Sequence, residues 1–167
     1  MMRTGAAASA PVRDATGFRF AVIVSRFNEG VTQALRAGAL EALAAAHASR
    51  VDAFDVPGAF ELPLAARAAA GSGAYDAVVC LGCVIRGETP HFEYISSSVA
   101  HAIANVALET GRPVTFGVLT TDTLAQAEAR AAAGPGNKGY EAATAAIDMV
   151  HLLRRLAAPA PRRGLEV

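Results

Sequence analysis

Residues 82–94 read GCVIRGETPHFEY, and they crowd Arg86, Glu88, His91 and Glu93 between two glycines and a proline. A solvated loop is one explanation; a site at the end of a strand is another. Thr89 suits a helix N-cap and Pro90 the first helical position. A helix starting there would aim the free backbone N–H groups of Gly87, Glu88 and Thr89 outward, which makes a site for an anion such as phosphate. Arg86 either assists that site or pairs internally. His91 falls in the first turn beside it. The positive end of the helix dipole favours neutral imidazole, a bound phosphate favours imidazolium, and a proton shuttle next to a phosphate is the chemistry this spacing suits. Glu88 must then point away from the anion.

The elements that would position these groups follow from periodicity. FRFAVIVS (18–25), RVDAFDVP (50–57), AYDAVVCLG (74–82) and VTFGVLT (114–120) are short apolar runs that predict strands. Helices are expected between them, at about 30–48, from Pro63 to Gly71, at 90–110 with a stripe of Ile95, Val99, Ala102, Ile103 and Val106, and at 140–156. Thr123 and Gln126 resemble a capping box that opens a further short helix. Strands alternating with helices predict a four-stranded parallel sheet covered on both faces, a three-layer αβα sandwich of flavodoxin-like type. Ligands of such sheets bind at the carboxyl ends of the strands. The residues arriving there are Arg26, Phe27 and Asn28, then Gly58 to Glu61, then the 82–94 stretch, then Thr120 to Asp122.

The totals exclude several classes. With 167 residues, the chain is expected to form one domain at 18–156, after a flexible arm at 1–17 and before a loose Pro-rich tail at 157–167. At 53% hydrophobic and 18% charged it is too apolar for disorder, and its formal net charge of zero gives no footprint for nucleic acid or an anionic membrane. No run is long enough to span a bilayer, and the N-terminus lacks the apolar centre of a signal peptide, so a cytoplasmic location is expected. The helix at 30–48 is apolar on two faces, through Val31, Leu35, Ala39 and Ala42 and through Leu40 and Leu43. Contact with other copies is the simplest account, which predicts a homo-oligomer.

Cys80 and Cys83 form a CLGC spacing open to a redox or zinc reading, but no second pair of ligands accompanies them and Cys80 sits inside an apolar strand. Buried free thiols are the ordinary alternative, and a Cys83–His91 nucleophilic dyad is a further one. GPGNKG lacks the spacing of a phosphate loop. His47, His101 and His151 fall in expected helices and are read as surface or interface residues.

SRFNEGVTQAL (25–35), VPGAFELP (56–63), GCVIRGETPHFEY (82–94), FGVLTTDTLAQAEAR (116–130) and GNKG (136–139) together resemble the lumazine synthase family, in order, over roughly residues 18–155. The resemblance implies condensation of 5-amino-6-(D-ribitylamino)uracil with 3,4-dihydroxy-2-butanone 4-phosphate, the penultimate step of riboflavin biosynthesis, with no metal and no organic cofactor. It implies that Phe27 stacks on the heterocycle and that Ala59, Phe60 and Glu61 hold the ribityl chain. Cys83, Val84 and Ile85 would read the pyrimidine edge. Gly87, Glu88 and Thr89 would form the phosphate turn, with His91 as acid–base. Arg130 would grip the phosphate, as a guanidinium fork suits, and Phe116 and Lys138 would complete the pocket. In the family Phe116, Arg130 and Lys138 come from the neighbouring subunit, pentamers are the common unit, and the product passes to riboflavin synthase. Cys83 and Glu88 depart from the residues usual in the family. A non-catalytic flavin- or lumazine-binding relative, or a shell-forming one, would have less need of His91 together with Arg130.

Overall fold

The computed structural model describes residues 13–159. The remainder of the expected arm and tail lies outside them. The chain runs β1 (Arg19–Ser25), α1 (Glu29–Ala45), β2 (Arg50–Val56), a 3-10 turn (Ala59–Glu61), α2 (Leu62–Gly71), β3 (Ala77–Ile85), α3 (His91–Thr110), β4 (Val114–Thr121), α4 (Leu124–Ala131) and α5 (Lys138–Ala157). The four strands form one parallel sheet in the order β2-β1-β3-β4, with helices on both faces, as the alternation predicts. The central strands β1 and β3 are buried on both sides, which is why they read as unbroken apolar runs rather than alternating ones.

Alternate residues of those strands feed two cores. Phe20, Val22, Val24, Val79 and Leu81 pack with Leu35 and Leu43 of α1 and Ile147 of α5. Ala21, Ile23, Val78 and Cys80 pack on the other face with Leu62 and Ala66 of α2 and Val99 and Ile103 of α3. Burial of this apolar surface is the main favourable contribution to folding.

Small residues let the helices close. A β-carbon on Gly139 would meet the Leu35 backbone, and one on Gly38 would meet the Asn137 side chain. Of the second apolar face of α1, read from sequence as a contact with other copies, Leu43 is buried in the core within the chain and Leu40 is half-buried beside β2, near Val51 and Ala53. The end of the expected arm packs too. The Ala15 N–H donates to Ala46 O at 2.7 Å, and Arg13 pairs with Asp148 at 2.6 Å.

Three elements differ from expectation at their ends. β3 begins and ends three residues later than the predicted 74–82. Gly82 does not stop it; it sits mid-strand opposite Val118, where a β-carbon would press on Ser25 Oγ and Leu62. α1 ends at Ala45, and His47 takes a left-handed conformation (φ 60°) beyond it, so His47 is not helical. α5 starts at Lys138, before the expected Tyr140, because Asn137 Oδ1 accepts from the Gly139 and Tyr140 N–H groups at 2.8 and 3.1 Å and caps the helix.

Candidate active site

The strand order reverses direction between β1 and β3, since the chain leaves β1 for β2 on one side and the neighbouring strand on the other side is β3. A sheet of this order opens a crevice at that point, at the carboxyl ends of the strands. A cavity of about 300 Å³ lies there. Its walls carry Phe27 from the β1 exit, Gly58, Ala59, Phe60 and Glu61 from the 3-10 turn, and Cys83, Val84 and Ile85 from the end of β3. Gly87, Thr89, His91, Phe92 and Ile95 close it.

Local structure sets each group in place. Asn28 adopts a left-handed conformation (φ 60°), tolerated by Asn better than by most residues, at the start of α1. Its Nδ2 donates to Cys83 O at 2.9 Å and so ties the β1 exit to the end of β3. Phe27, held beside it, is 72% exposed. Its ring stands bare at the mouth of the cavity and is not a piece of core. Phe60, 62% exposed, presents a second ring. Ala59 is buried and anchors the 3-10 turn, so that Glu61 stays exposed at the rim.

The N-terminus of α3 differs from the expected cap. The helix begins at His91, Pro90 occupies the cap position, and no side chain caps it. Thr89 instead lines the cavity. No cap side chain accepts from the first-turn N–H groups of α3, which leaves the start of the helix open to an anion. His91 is exposed and makes no hydrogen bond with any described residue. Glu88 is exposed and is not part of the cavity wall.

Arg86 pairs internally. Its Nε donates to Asp122 Oδ1 at 2.7 Å, its Nη1 binds Glu93 Oε1, and its guanidinium lies 4.4 Å from the centre of the Phe92 ring. The Asp122 and Glu93 hydrogen bonds push its pKa above the ordinary value, and Arg86 in turn holds the Glu93 carboxyl below its ordinary range.

Phe116, Arg130 and Lys138 are not brought to this cavity. They line a second one of about 480 Å³, between the edge strand β4 and α5, together with Glu141, Ala142 and Ala145. Arg130 Nη1 donates to Gln126 O at 3.0 Å, and among the described residues it has no carboxylate partner. Lys138 Nζ reaches Glu141 Oε2 at 2.8 Å. Phe116, 44% exposed, stands on the free edge of the sheet. The Thr123 cap is present, with its side chain accepting from the Gln126 N–H at 3.2 Å. The reciprocal bond falls one residue early, since Gln126 Oε1 accepts from the Asp122 N–H at 2.9 Å.

The CLGC pair is neither a dithiol nor a metal clip. A spacing of three in a strand sends the two side chains to opposite faces, Cys80 into the α2/α3 core and Cys83 into the α1/α5 core. Burial pushes their thiols up to about 12 and about 11, so neither is a thiolate nucleophile near neutrality, which removes the Cys83–His91 dyad.

The family model for 6,7-dimethyl-8-ribityllumazine synthase matches residues 17–154 of this chain. A 6,7-dimethyl-8-ribityllumazine synthase of Syntrophus aciditrophicus (strain SB) is 53% identical over 144 residues, covering 85% of this chain and 94% of the relative. The chain belongs to the 6,7-dimethyl-8-ribityllumazine synthase family. Its activity is that of a lumazine synthase, a transferase of riboflavin biosynthesis.

Asn28 was expected at the β1 exit but not as the link to β3 that its amide makes. Phe92 and Ile95 line the cavity without having been expected there, since Ile95 read as part of the α3 apolar stripe and Phe92 carried no signal of its own.

Proposed function

We propose that the cavity between β1 and β3 binds 5-amino-6-(D-ribitylamino)uracil and 3,4-dihydroxy-2-butanone 4-phosphate together. The observation that carries this reading is the convergence of ring platform, ribityl segment, pyrimidine-edge segment, phosphate turn and His91 on one cavity wall. Phe27 stacks on the pyrimidine. Glu61 accepts hydrogen bonds from ribityl hydroxyls, and the backbone of Cys83, Val84 and Ile85 reads the pyrimidine edge. Gly87 and Thr89, with the uncapped start of α3, hold the phosphate, and Glu88 contributes through its backbone.

The 5-amino group attacks the butanone carbonyl, and loss of water gives an imine. Removal of a proton from the adjoining hydroxyl-bearing carbon expels phosphate from the next carbon and leaves an enol, which takes up a proton to become a methyl ketone; attack of the ribitylamino nitrogen on that new carbonyl closes the ring with loss of water. His91, next to the phosphate turn, moves protons in these steps, a task for which imidazole is suited near neutral pH.

Arg130, Lys138 and Phe116 serve the site of a neighbouring copy. Phe116 and Leu124 expose apolar surface along the β4 edge, and Arg130 there lacks an acidic partner among the described residues, which supports a completing contact with a second chain. We assign the assembly as a homopentamer or a multiple of it, in the cytoplasm, delivering product to riboflavin synthase, with residues 18–156 as the catalytic domain. Among the described residues, no helix is long and apolar enough to cross a membrane.

The test is a coupled assay of lumazine fluorescence and phosphate release with the spontaneous reaction subtracted. His91→Ala is expected to lower kcat by about a hundredfold or more, and Arg130→Ala to raise KM for the butanone phosphate. Unchanged kinetics in both variants would remove the assignments.

A further inference from the structure

Arg86 belongs to neither cavity wall, yet it touches the elements that carry both. Its backbone N–H donates to Thr121 O at 2.8 Å and its Nε to Asp122 Oδ1 at 2.7 Å, at the corner where β4 turns into α4. The same corner holds the start of α4, through the Asp122 N–H to Gln126 Oε1 bond, and α4 carries Arg130 one turn further on, where Arg130 bonds back to Gln126 O. The other nitrogen of the fork binds Glu93 in the first turn of α3, two residues after His91, and the guanidinium plane packs on Phe92 of the cavity wall. The phosphate turn begins at the next residue, Gly87.

We propose that Arg86 is a positioning residue that holds the two half-sites of one chain in register, the α3 start with His91 on its Glu93 side and the β4–α4 corner leading to Arg130 on its Asp122 side. This rests on the roles proposed above for His91 and Arg130. A single charged hydrogen bond at an exposed position does little for stability. A planar two-pronged fork between two acids, stacked on an aromatic ring, instead fixes direction, which lysine cannot reproduce. Because Glu93 stays ionised to below the ordinary carboxylate range and Arg86 to above its own, the clamp is closed throughout the neutral range.

The two prongs are separable by substitution. Glu93→Gln loosens the His91 side and is expected to lower kcat with KM for the butanone phosphate nearly unchanged. Asp122→Asn loosens the Arg130 side and is expected to raise that KM more than it lowers kcat. Arg86→Ala should do both, with losses of roughly tenfold to a hundredfold, the scale of small misplacements of reacting groups. Arg86→Lys should restore less than half of the lost kcat/KM. Amide hydrogen exchange should quicken in Arg86→Ala at both residues 91–95 and 122–130. His91→Ala and Arg130→Ala run alongside as controls; if those two are themselves unaffected, the roles assigned to the cavities have failed, whatever the Arg86 variants do. With the controls impaired, the clamp is overturned by full activity in Arg86→Ala, by full rescue in Arg86→Lys, or by identical kcat and KM changes in Glu93→Gln and Asp122→Asn. Should Arg86→Ala fail to fold, the two carboxylate variants, both at exposed positions, decide the matter alone.

Discussion

Gly139 and Leu35 pack backbone against backbone, with no room for a β-carbon on the glycine. The contact brings the start of α5 onto α1. In a helix alanine is favoured over glycine by up to about 1 kcal/mol, so propensity alone would make Gly139→Ala stabilising. Overpacking against main chain reverses the sign, and a loss of about 1–3 kcal/mol is expected. Thermal unfolding followed by circular dichroism checks this; a raised Tm in the variant would show that the α1–α5 contact yields easily.

Asn137 is buried at 2% exposure and uses its whole amide. Besides capping α5, its Nδ2 donates to Ala34 O at 3.1 Å and Ala131 O at 2.7 Å. Asn137→Ala leaves those carbonyls and the capped N–H groups without partners, at about 1–3 kcal/mol for a buried group left unsatisfied. Asn137→Asp retains the acceptor and loses the donor, and is expected to fall between wild type and alanine in urea denaturation. An alanine variant as stable as wild type would refute the four-bond assignment.

The two thiols are silent near neutrality. In the native protein neither Cys80 nor Cys83 is expected to react with a disulfide reagent on the time scale on which the urea-unfolded chain reacts fully, and treated protein keeps its activity. Both thiols titrate above their ordinary value of 9.0 when folded. The native state therefore holds protons that the unfolded state has released, and stability falls as pH rises from about 9. Denaturation midpoints measured through the alkaline range follow this, and Cys83→Ala should flatten the decline.

Asp76 behaves in the opposite sense. Burial raises its pKa, but the Arg19 side chain and N–H, with the charge of Arg154, outweigh that and leave it below the ordinary 3.8. Its carboxylate sits among Arg19, Arg112 and Arg154 at 3.3, 4.0 and 3.8 Å. A depressed carboxyl adds stability above its unfolded pKa and loses it as pH falls through the folded one. Asp76→Asn should thus be destabilised at pH 7, with the gap to wild type closing under acid. A gap that stays constant down to pH 2 would mean that packing, not charge, accounts for the loss.

Much of this arrangement could be read from the chain itself. Apolar runs and helical stripes are local signals, and they located every strand and the helices between them, and from the alternation the parallel sheet. The strand exits then pointed to Phe27 and to Gly58–Glu61. What escaped depends on contacts between distant residues. Gly82 looks like a stop signal, and only its neighbours across the sheet explain a glycine inside β3. The second apolar face of α1 has the same composition whether it meets another copy or the rest of its own chain. Thr89 is a good cap by type, but the backbone places Pro90 at the cap position. Arg130 reads as a solvated arginine on a short helix without the family pattern, because nothing in its immediate sequence shows the edge of the sheet beside it.

The two cavities share no wall residue. On the proposed pairing, a chain is therefore a unit of folding but not of catalysis. Chains defective at His91 and chains defective at Arg130 are each impaired alone, yet mixing them before assembly is expected to regenerate some intact sites, since one supplies the half that the other lacks. Conversely, a chain damaged in both halves disables two sites in the ring it joins. Genetic damage to this enzyme would thus be read by the assembly, with complementation or interference decided by which edge of the sheet carries the fault.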